Sequence, residues 1–262
     1  MPLSRTELKN LKSLLTKKGR KKSGMFLAEG IRLLEESMRW RFLPRTVYYA
    51  PSMLSTRAGK LVRQLRSRAV ETVQLSARDL RSVSDTESPQ GIVGLFARPD
   101  TKLAKLYQPK HRKLVLCEDI SDPGNLGTLA RSSLAFGFDL MLLCGSSAEP
   151  YSPKVVRASA GAVFGLQIAV ATLKEVCAFV AREEVTVIAA DLKAKNNVKL
   201  PKRTLQKRRI LLAIGSEATG LSKTILERAD IRVRIQHLRA VESLNAAVAG
   251  SIIMKEIYDL SH

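Results

Sequence analysis

An α/β protein of two domains, the larger C-terminal one built on a parallel sheet, is what this 262-residue sequence predicts. Three observations carry that expectation. Short strand-like runs alternate with stretches of helical period along nearly the whole chain. After Leu114 the strand-like runs become apolar on both faces, the mark of parallel strands covered by helices. Between the two stretches lies "RPDTKLAKLYQPKHRK", residues 98–113, with two prolines, many cations and no sustained period, which reads as a basic linker. The chain is long enough for two cores.

The first element, "SRTELKNLKSLL", sets Leu8, Leu11, Leu14 and Leu15 at helical spacing, and the "KKGRKK" run after it reads as a mobile basic loop. "MFLAEG" is then a strand and "IRLLEESMRW" a helix with Ile31, Leu34 and Met38 on its apolar side. "TVYYA" (strand), "LSTRAGKLVRQLRSR" (helix), "ETVQLS" (strand), "ARDLRSVSD" (helix) and "GIVGLFA" (strand) complete an α/β domain over residues 1–97. In the second domain, residues 114–262, the expected strands are "KLVLCED", "DLMLLCG", "TVIAAD", "RRILLAIG" and "IRVRIQ". Parallel sheets bind ligands beyond the carboxyl ends of their strands, so the loops after these five are where chemistry is expected.

Composition narrows the partner. The formal net charge is +20, with 25 Lys and Arg against 9 Asp and Glu up to residue 113 and 19 against 15 thereafter. Such an excess suits a polyphosphate, because each cation that neutralises a phosphate releases a counterion. An anionic membrane is the rival, but no amphipathic helix sets Trp or Phe opposite a lysine face. No apolar run approaches the roughly 18 residues of a membrane span, and no signal-peptide layout opens the chain, so a cytoplasmic protein is expected. Cys117, Cys144 and Cys177 are dispersed, without C-x-x-C, and read as buried small hydrophobes; neither a disulfide frame nor a metal site is expected.

Three loops carry more polar groups than structure requires. In "EDISDPGNLGTLARSSLAFGF", Asp122-Pro123-Gly124 signals a turn and Asn125 suits a helix cap. Arg131, six residues on, stands nearly two turns into that helix, and spacing alone suits a solvated helix arginine equally well. In "LLAIGSEATGLS", Gly215 and Gly220 bracket Ser216, Glu217 and Thr219 directly after a buried strand. That bracket admits close backbone approach by a ligand, but it is neither a Walker loop nor a G-x-G-x-x-G fingerprint. In "VESLNAAVAGSIIMKEI", Ser243 or Asn245 suffices as a helix cap and Glu242 suits the positive end of the helix dipole, which leaves one polar side chain in surplus.

Together and in this order the three loops resemble the motifs of the SpoU (TrmH) family of the SPOUT superfamily, AdoMet-dependent RNA ribose 2'-O-methyltransferases. "DPGNLGTLARSSLAFG" is similar to the first motif, "IGSEATGLS" to the second and "IQHLRAVESLNAAVAGSI" to the third, while "SPKVVRASAGAVFGL" resembles the family's intervening segment. "MFLAEG" and "SPQGIVGLF" resemble the ribosomal-protein L30e-like substrate-binding domain that many members carry. The resemblance implies an α/β fold tied in a deep trefoil knot, S-adenosyl-L-methionine (AdoMet) as methyl donor without a metal, and a homodimer formed through the C-terminal domain. It implies AdoMet contacts from Gly215, Ile235 and Leu244, with Ser216, Glu217, Gly220 and Ser243 beside them. The polar active-site positions it implies are Asn125, Arg131, Glu217, Ser243 and Asn245, with Glu217 orienting Arg131 or Asn125. "AAVAGSII" then reads as small-residue packing at the dimer interface. Two departures stand out: Ile235-Gln236 where many members have Ile-Pro, and Ala246-Ala247 where many have Val-Ser. The implied target is ribosomal RNA, with tRNA as the alternative; a catalytically idle RNA-binding assembly factor is the competing reading.

Overall fold

Ten strands form two separate sheets among residues 3–194, 200, 209–238 and 242–261, which the computed structural model describes. The first compact unit comprises Met1–Pro99 together with Glu149–Gly165, and the second comprises Asp100–Ala148 with Leu166–His262. The stretch 149–165, which the sequence alone assigns to the second domain, thus belongs to the first unit.

The first unit runs α1 (Arg5–Ser13), α2 (Lys17–Ser23), β1 (Met25–Glu29), α3 (Ile31–Arg39), β2 (Thr46–Tyr49), α4 (Thr56–Ser67), β3 (Glu71–Gln74), α5 (Ala77–Ser82) and β4 (Ile92–Ala97). Its sheet order is β1-β4-β2-β3, with β4 antiparallel to both neighbours and β3 parallel to β2. Ser4, Thr16, Ser55 and Ser76 start their helices by accepting a bond from a backbone N–H three residues on. The "KKGRKK" run is therefore helical, not a mobile loop. Besides the Thr16 cap, buried Arg20 holds it: the guanidinium donates from Nε and Nη2 to the Glu149 carboxylate and from Nη1 to the Leu14 carbonyl. A pair this buried specifies position more than it adds stability, but removing one partner would strand the other at a cost of about 3–5 kcal/mol. Five aromatic rings build the adjoining core. Phe26 lies 5.3 Å from Phe96 and 5.0 Å from Tyr151, and Phe164 lies 5.1 Å from Phe96 and 5.6 Å from Phe42. Two of the five, Tyr151 and Phe164, come from the stretch that also holds α8 (Pro153–Ala158).

The second unit is a six-stranded parallel sheet of order β10-β8-β9-β5-β6-β7. Its elements are α6 (Leu103–Leu106), β5 (Lys113–Glu118), α7 (Pro123–Ala135), β6 (Leu140–Cys144), β7 (Gln167–Val170), α9 (Leu173–Arg182), β8 (Thr186–Ala190), β9 (Ile210–Ile214), α10 (Lys223–Glu227), β10 (Ile231–Val233) and α11 (Ala246–Ser261). Leu114, Leu116, Leu140, Leu142, Leu211 and Ala213 are wholly buried, as strands covered on both faces require. The expected linker is more than a tether, because Leu103, Leu106 and Tyr107 pack on this core. β7 was not expected from the sequence, and β10 ends at Val233, three residues earlier than "IRVRIQ" suggests. Asp122, not Asn125, caps α7, accepting from the Asn125 N–H with Pro123 at the first helical position. On α11, a Cβ at Gly250 would lie 2.5 Å from Ile214 and 2.6 Å from Leu129, so this small residue serves packing within the chain. The apolar side chains that α11 leaves exposed are Val248 and Ile252. No helix among the described residues is long and apolar enough to cross a membrane.

Candidate active site

The second unit places its cavity where parallel-sheet physics puts it, beyond the carboxyl ends of β8, β9 and β10. It encloses about 390 Å³, within the roughly 300–1,000 Å³ usual for small-molecule sites. Five segments wall it. Ala190–Lys193 lie at the end of β8, Ile214–Leu221 at the end of β9, Val233–Ile235 and His237 at the end of β10, Leu226 comes from α10, and Ser243, Leu244, Ala246, Ala249 and Ile253 come from the start of α11 and the turn before it.

The loop after β9 is a tight hairpin. Ser216 and Gly220 pair as an isolated bridge, the Ser216 carbonyl accepts from the Gly220 N–H at 2.9 Å, and the Ser216 and Thr219 hydroxyls lie 2.8 Å apart. Gly215 has no room for a side chain: a Cβ there would fall 2.2–2.3 Å from the Gly220 backbone and the Leu221 nitrogen. The close approach that the glycine bracket suggests is therefore, in this chain, an approach of the loop to itself. Ser222 starts α10 and donates its N–H to buried Glu118, which ties the hairpin's exit to the end of β5.

Glu217 at the hairpin tip organises the other two loops. One of its oxygens, Oε1, accepts from Asn125 Nδ2 at 3.3 Å, from Asn245 Nδ2 at 2.5 Å and from the Ala246 N–H at 3.1 Å. Asn245 also donates to Asn125 Oδ1 at 2.8 Å, while its own Oδ1 accepts the N–H groups of Ala247 and Val248. Asn245 is thus the N-cap of α11, and Glu217 satisfies the Ala246 N–H beside that cap. Three side chains from three loops close one triangle of hydrogen bonds. A carboxylate in such a triangle is well matched to N–H donors, since charge-assisted bonds are the stronger kind.

All seven residues expected around the cofactor, Gly215, Ser216, Glu217, Gly220, Ile235, Ser243 and Leu244, line the one cavity. Of the five expected polar groups, Asn125, Glu217 and Asn245 meet directly. Arg131 does not join them: it is exposed on α7 with no hydrogen bond or ion pair among the described residues. Of the two partners expected for Glu217, it bonds Asn125 and not Arg131. Ser243 is exposed at the cavity wall. Residues 239–241 of the third loop lie outside the described residues. Sequence reasoning places the loop after β8 among those where chemistry is expected but singles out no residue in it; its Asp191 lines the cavity 3.9 Å from Arg232 and its Leu192 is exposed. Its signal was available, because "TVIAAD" ends on a carboxylate at the carboxyl end of a buried strand.

The walls suit AdoMet. Leu221, Leu226, Val233, Leu244 and Ile253 give apolar faces for a purine, and the carboxylates of Asp191 and Glu217 suit a ligand carrying cationic sulfonium and ammonium groups.

Residues 112–255 match the SpoU rRNA Methylase family, and residues 5–94 match the MRM3-like substrate binding domain. A 23S rRNA guanosine 2'-O-methyltransferase of Bacillus subtilis is 29% identical over 95% of this chain and 94% of its own length. The human mitochondrial rRNA methyltransferase 3 is 34% identical over 57% of this chain, a match that spans 36% of its own length. Among solved structures, the SpoU methyltransferase AviRb from Streptomyces viridochromogenes in complex with the cofactor AdoMet aligns with a TM-score of 0.85 at 25% identity, covering 98% of each chain.

Proposed function

This chain belongs to the SpoU rRNA methylase family, and from that premise we propose that it transfers the methyl group of AdoMet to a ribose 2'-hydroxyl of ribosomal RNA. The observation that carries this reading is the joining of Asn125, Glu217 and Asn245 beside a cavity walled by the second and third loops. The Bacillus relative, matched over nearly its whole length, supports ribosomal over transfer RNA as the target.

When bound, AdoMet supplies an electrophilic methyl group on a sulfonium. The work left to the chain is to hold the donor, place the ribose hydroxyl in line with that methyl and ease removal of the hydroxyl proton. Gly215, Ile235 and Leu244 hold the donor through the backbone, with Ser216, Gly220 and Ser243 beside them. Glu217 fixes Asn125 and Asn245 and so keeps the three loops in register. Arg131, exposed and without an ion-pair partner among the described residues, clamps the phosphate next to the target ribose. It is poorly suited to act as the base, since a guanidinium stays protonated below a pKa of about 12. The proton leaves through the Ser243 hydroxyl or a water.

The family fold brings a deep trefoil knot with it, a reading supported by the near-complete alignment with a SpoU methyltransferase. A homodimer formed through the second unit is supported by Val248 and Ile252, spaced one turn apart and exposed on α11. A cytoplasmic location accords with a ribosomal substrate. The deciding experiment incubates purified protein with labelled AdoMet and unmodified ribosomal or transfer RNA. The expected product is one alkali-resistant phosphodiester in ribosomal RNA. Absence of both AdoMet binding by calorimetry and label incorporation would hand the case to the assembly-factor reading.

A further inference from the structure

The turn that leaves α3, "RWRFLPR" from Arg39 to Arg45, has no part in the methyl-transfer site, yet it is built with unusual care for an exposed segment. The chain's single tryptophan, Trp40, ends the helix with its N–H shared between the Glu36 and Met38 carbonyls. The Phe42 N–H donates to the Ser37 carbonyl at 2.8 Å and the Arg45 N–H to the Leu95 carbonyl at 2.8 Å, so the backbone is pinned on both sides of the ring. Phe42 anchors the turn from below, 5.8 Å from Phe96 and 5.6 Å from Phe164.

The indole itself lies flat on Gly165. A Cβ built on that glycine would sit 2.4–2.7 Å from Cδ2, Cε2 and Cε3 of the ring, so any side chain there would displace it. Even so, Trp40 remains 40% exposed. The ring is thus held against backbone on the Gly165 side while the residue keeps substantial access to solvent. The surroundings are cationic: Arg39 is 75% exposed despite its 3.7 Å approach to Glu36. The side chains of Arg41 and Arg45 are exposed without a hydrogen-bond or ion-pair partner among the described residues. Arg41 adopts φ +54°, a left-handed conformation uncommon for a side chain without special local bonding.

We propose that Trp40, flanked by Arg39, Arg41 and Arg45, is a stacking platform for an unpaired base of the RNA substrate. The inference rests on the RNA methyltransferase reading and adds to it a contact and its chemistry. Sequence-tolerant RNA recognition joins aromatic faces, which stack bases, to cations, which follow the phosphates, and this turn supplies both on a rigid base. A second copy of the chain is the poorer occupant, because a two-fold contact over this turn would bring like-charged arginine clusters together.

Because Trp40 is the only tryptophan, its emission reports on the platform without any substitution. An unmodified 23S-type rRNA transcript is titrated into the full-length protein, with binding followed by filter retention and indole emission recorded on the same samples. Binding accompanied by quenching, and by protection of the indole from acrylamide, is the expected result. Trp40→Ala should then weaken RNA binding by roughly 5- to 100-fold, the range for loss of one stacked base, while Trp40→Phe keeps most of the affinity and AdoMet affinity is unchanged in both. Binding with unaltered emission and acrylamide access would overturn the platform and leave the methyltransferase reading standing. Emission that changes with protein concentration in the absence of RNA would assign the ring to a second copy and overturn it as well. Failure of RNA to bind at all would remove the reading on which the platform rests, and the platform with it.

Discussion

Asn125, Glu217 and Asn245 differ from Arg131 and Ser243 in one respect: the first three are engaged in hydrogen bonds with one another, and the last two have no hydrogen-bond partner for their side chains among the described residues. All five come from the three stretches that follow β5, β9 and β10. The difference teaches a division of labour. Groups that set the shape of a site gain from being bonded before the substrate arrives, since preorganisation removes reorganisation from the reaction step. A group that is to grip a phosphate gains from being free, because bonds within the chain would have to be given up on binding. Substitutions in the first set should therefore change stability and AdoMet affinity, and substitutions in the second should change rate or RNA binding while the protein stays as stable as before.

The heaviest blow to the bonded set is Gly215→Val. Its side chain would overlap the backbone of Gly220 and the nitrogen of Leu221, so the hairpin must open and Glu217 must leave its partners. AdoMet binding should be undetectable by calorimetry; binding at the unaltered affinity would show that the hairpin is not part of the frame. On the free side, Arg131→Ala should lower the methyl-transfer rate about 100- to 1,000-fold, the usual loss for one preorganised charge donor, with no change in melting temperature. Arg131→Lys separates charge from fork: recovery of most of the rate shows that a point charge suffices, whereas a rate near that of Ala shows that the planar pair of donors is needed.

A smaller effect belongs to Asn245→Ala, which removes the cap of α11 and one side of the triangle. It should cost about 1 kcal/mol, read as a fall of roughly 2–4 °C in melting temperature for a chain of this size. A rate loss with no thermal change would move Asn245 from the bonded set to the free one. The smallest effect, useful as a control, comes from His111 at the opposite end of β5. Burial holds its pKa below the ordinary 6.5, with Asp139 partly offsetting that shift. Below about pH 6.5 the unfolded chain takes up a proton more readily than the folded one, so the histidine's contribution to stability is present above that pH and is lost as pH falls. His111→Gln should flatten this part of the stability profile and leave the pH dependence of methyl transfer unaltered.

Much of this was legible in advance, for identifiable reasons. Strands such as Leu140–Cys144, apolar on both faces, announce a parallel sheet, and the sheet then dictates where the cavity lies. What stayed hidden depends on partners distant in sequence. The helix Lys17–Ser23 looks like a loop because its anchor, Glu149, is 129 residues from Arg20. Asn125 passes for a cap because short polar residues are interchangeable in that role, and only the structure shows Asp122 occupying it. Strand β7 opens on Gln167 and ends on half-exposed Val170, which disguises an edge strand as a turn. The role of Glu217 was half readable: an unexplained carboxylate invites a partner, but its geometry selects Asn125 and Asn245 and leaves Arg131 alone.

The borrowing of Tyr151 and Phe164 by the first unit also sets an order of events during synthesis. A ribosome that has released the first 99 residues has made every strand of that unit's sheet but only three of the five rings of its aromatic cluster. The missing two emerge only after β5 and β6 of the other unit have been translated. The nascent first unit must therefore wait, partly open, for a segment encoded inside its neighbour, and a gene cut after residue 99 would yield a fragment lacking part of its own interior.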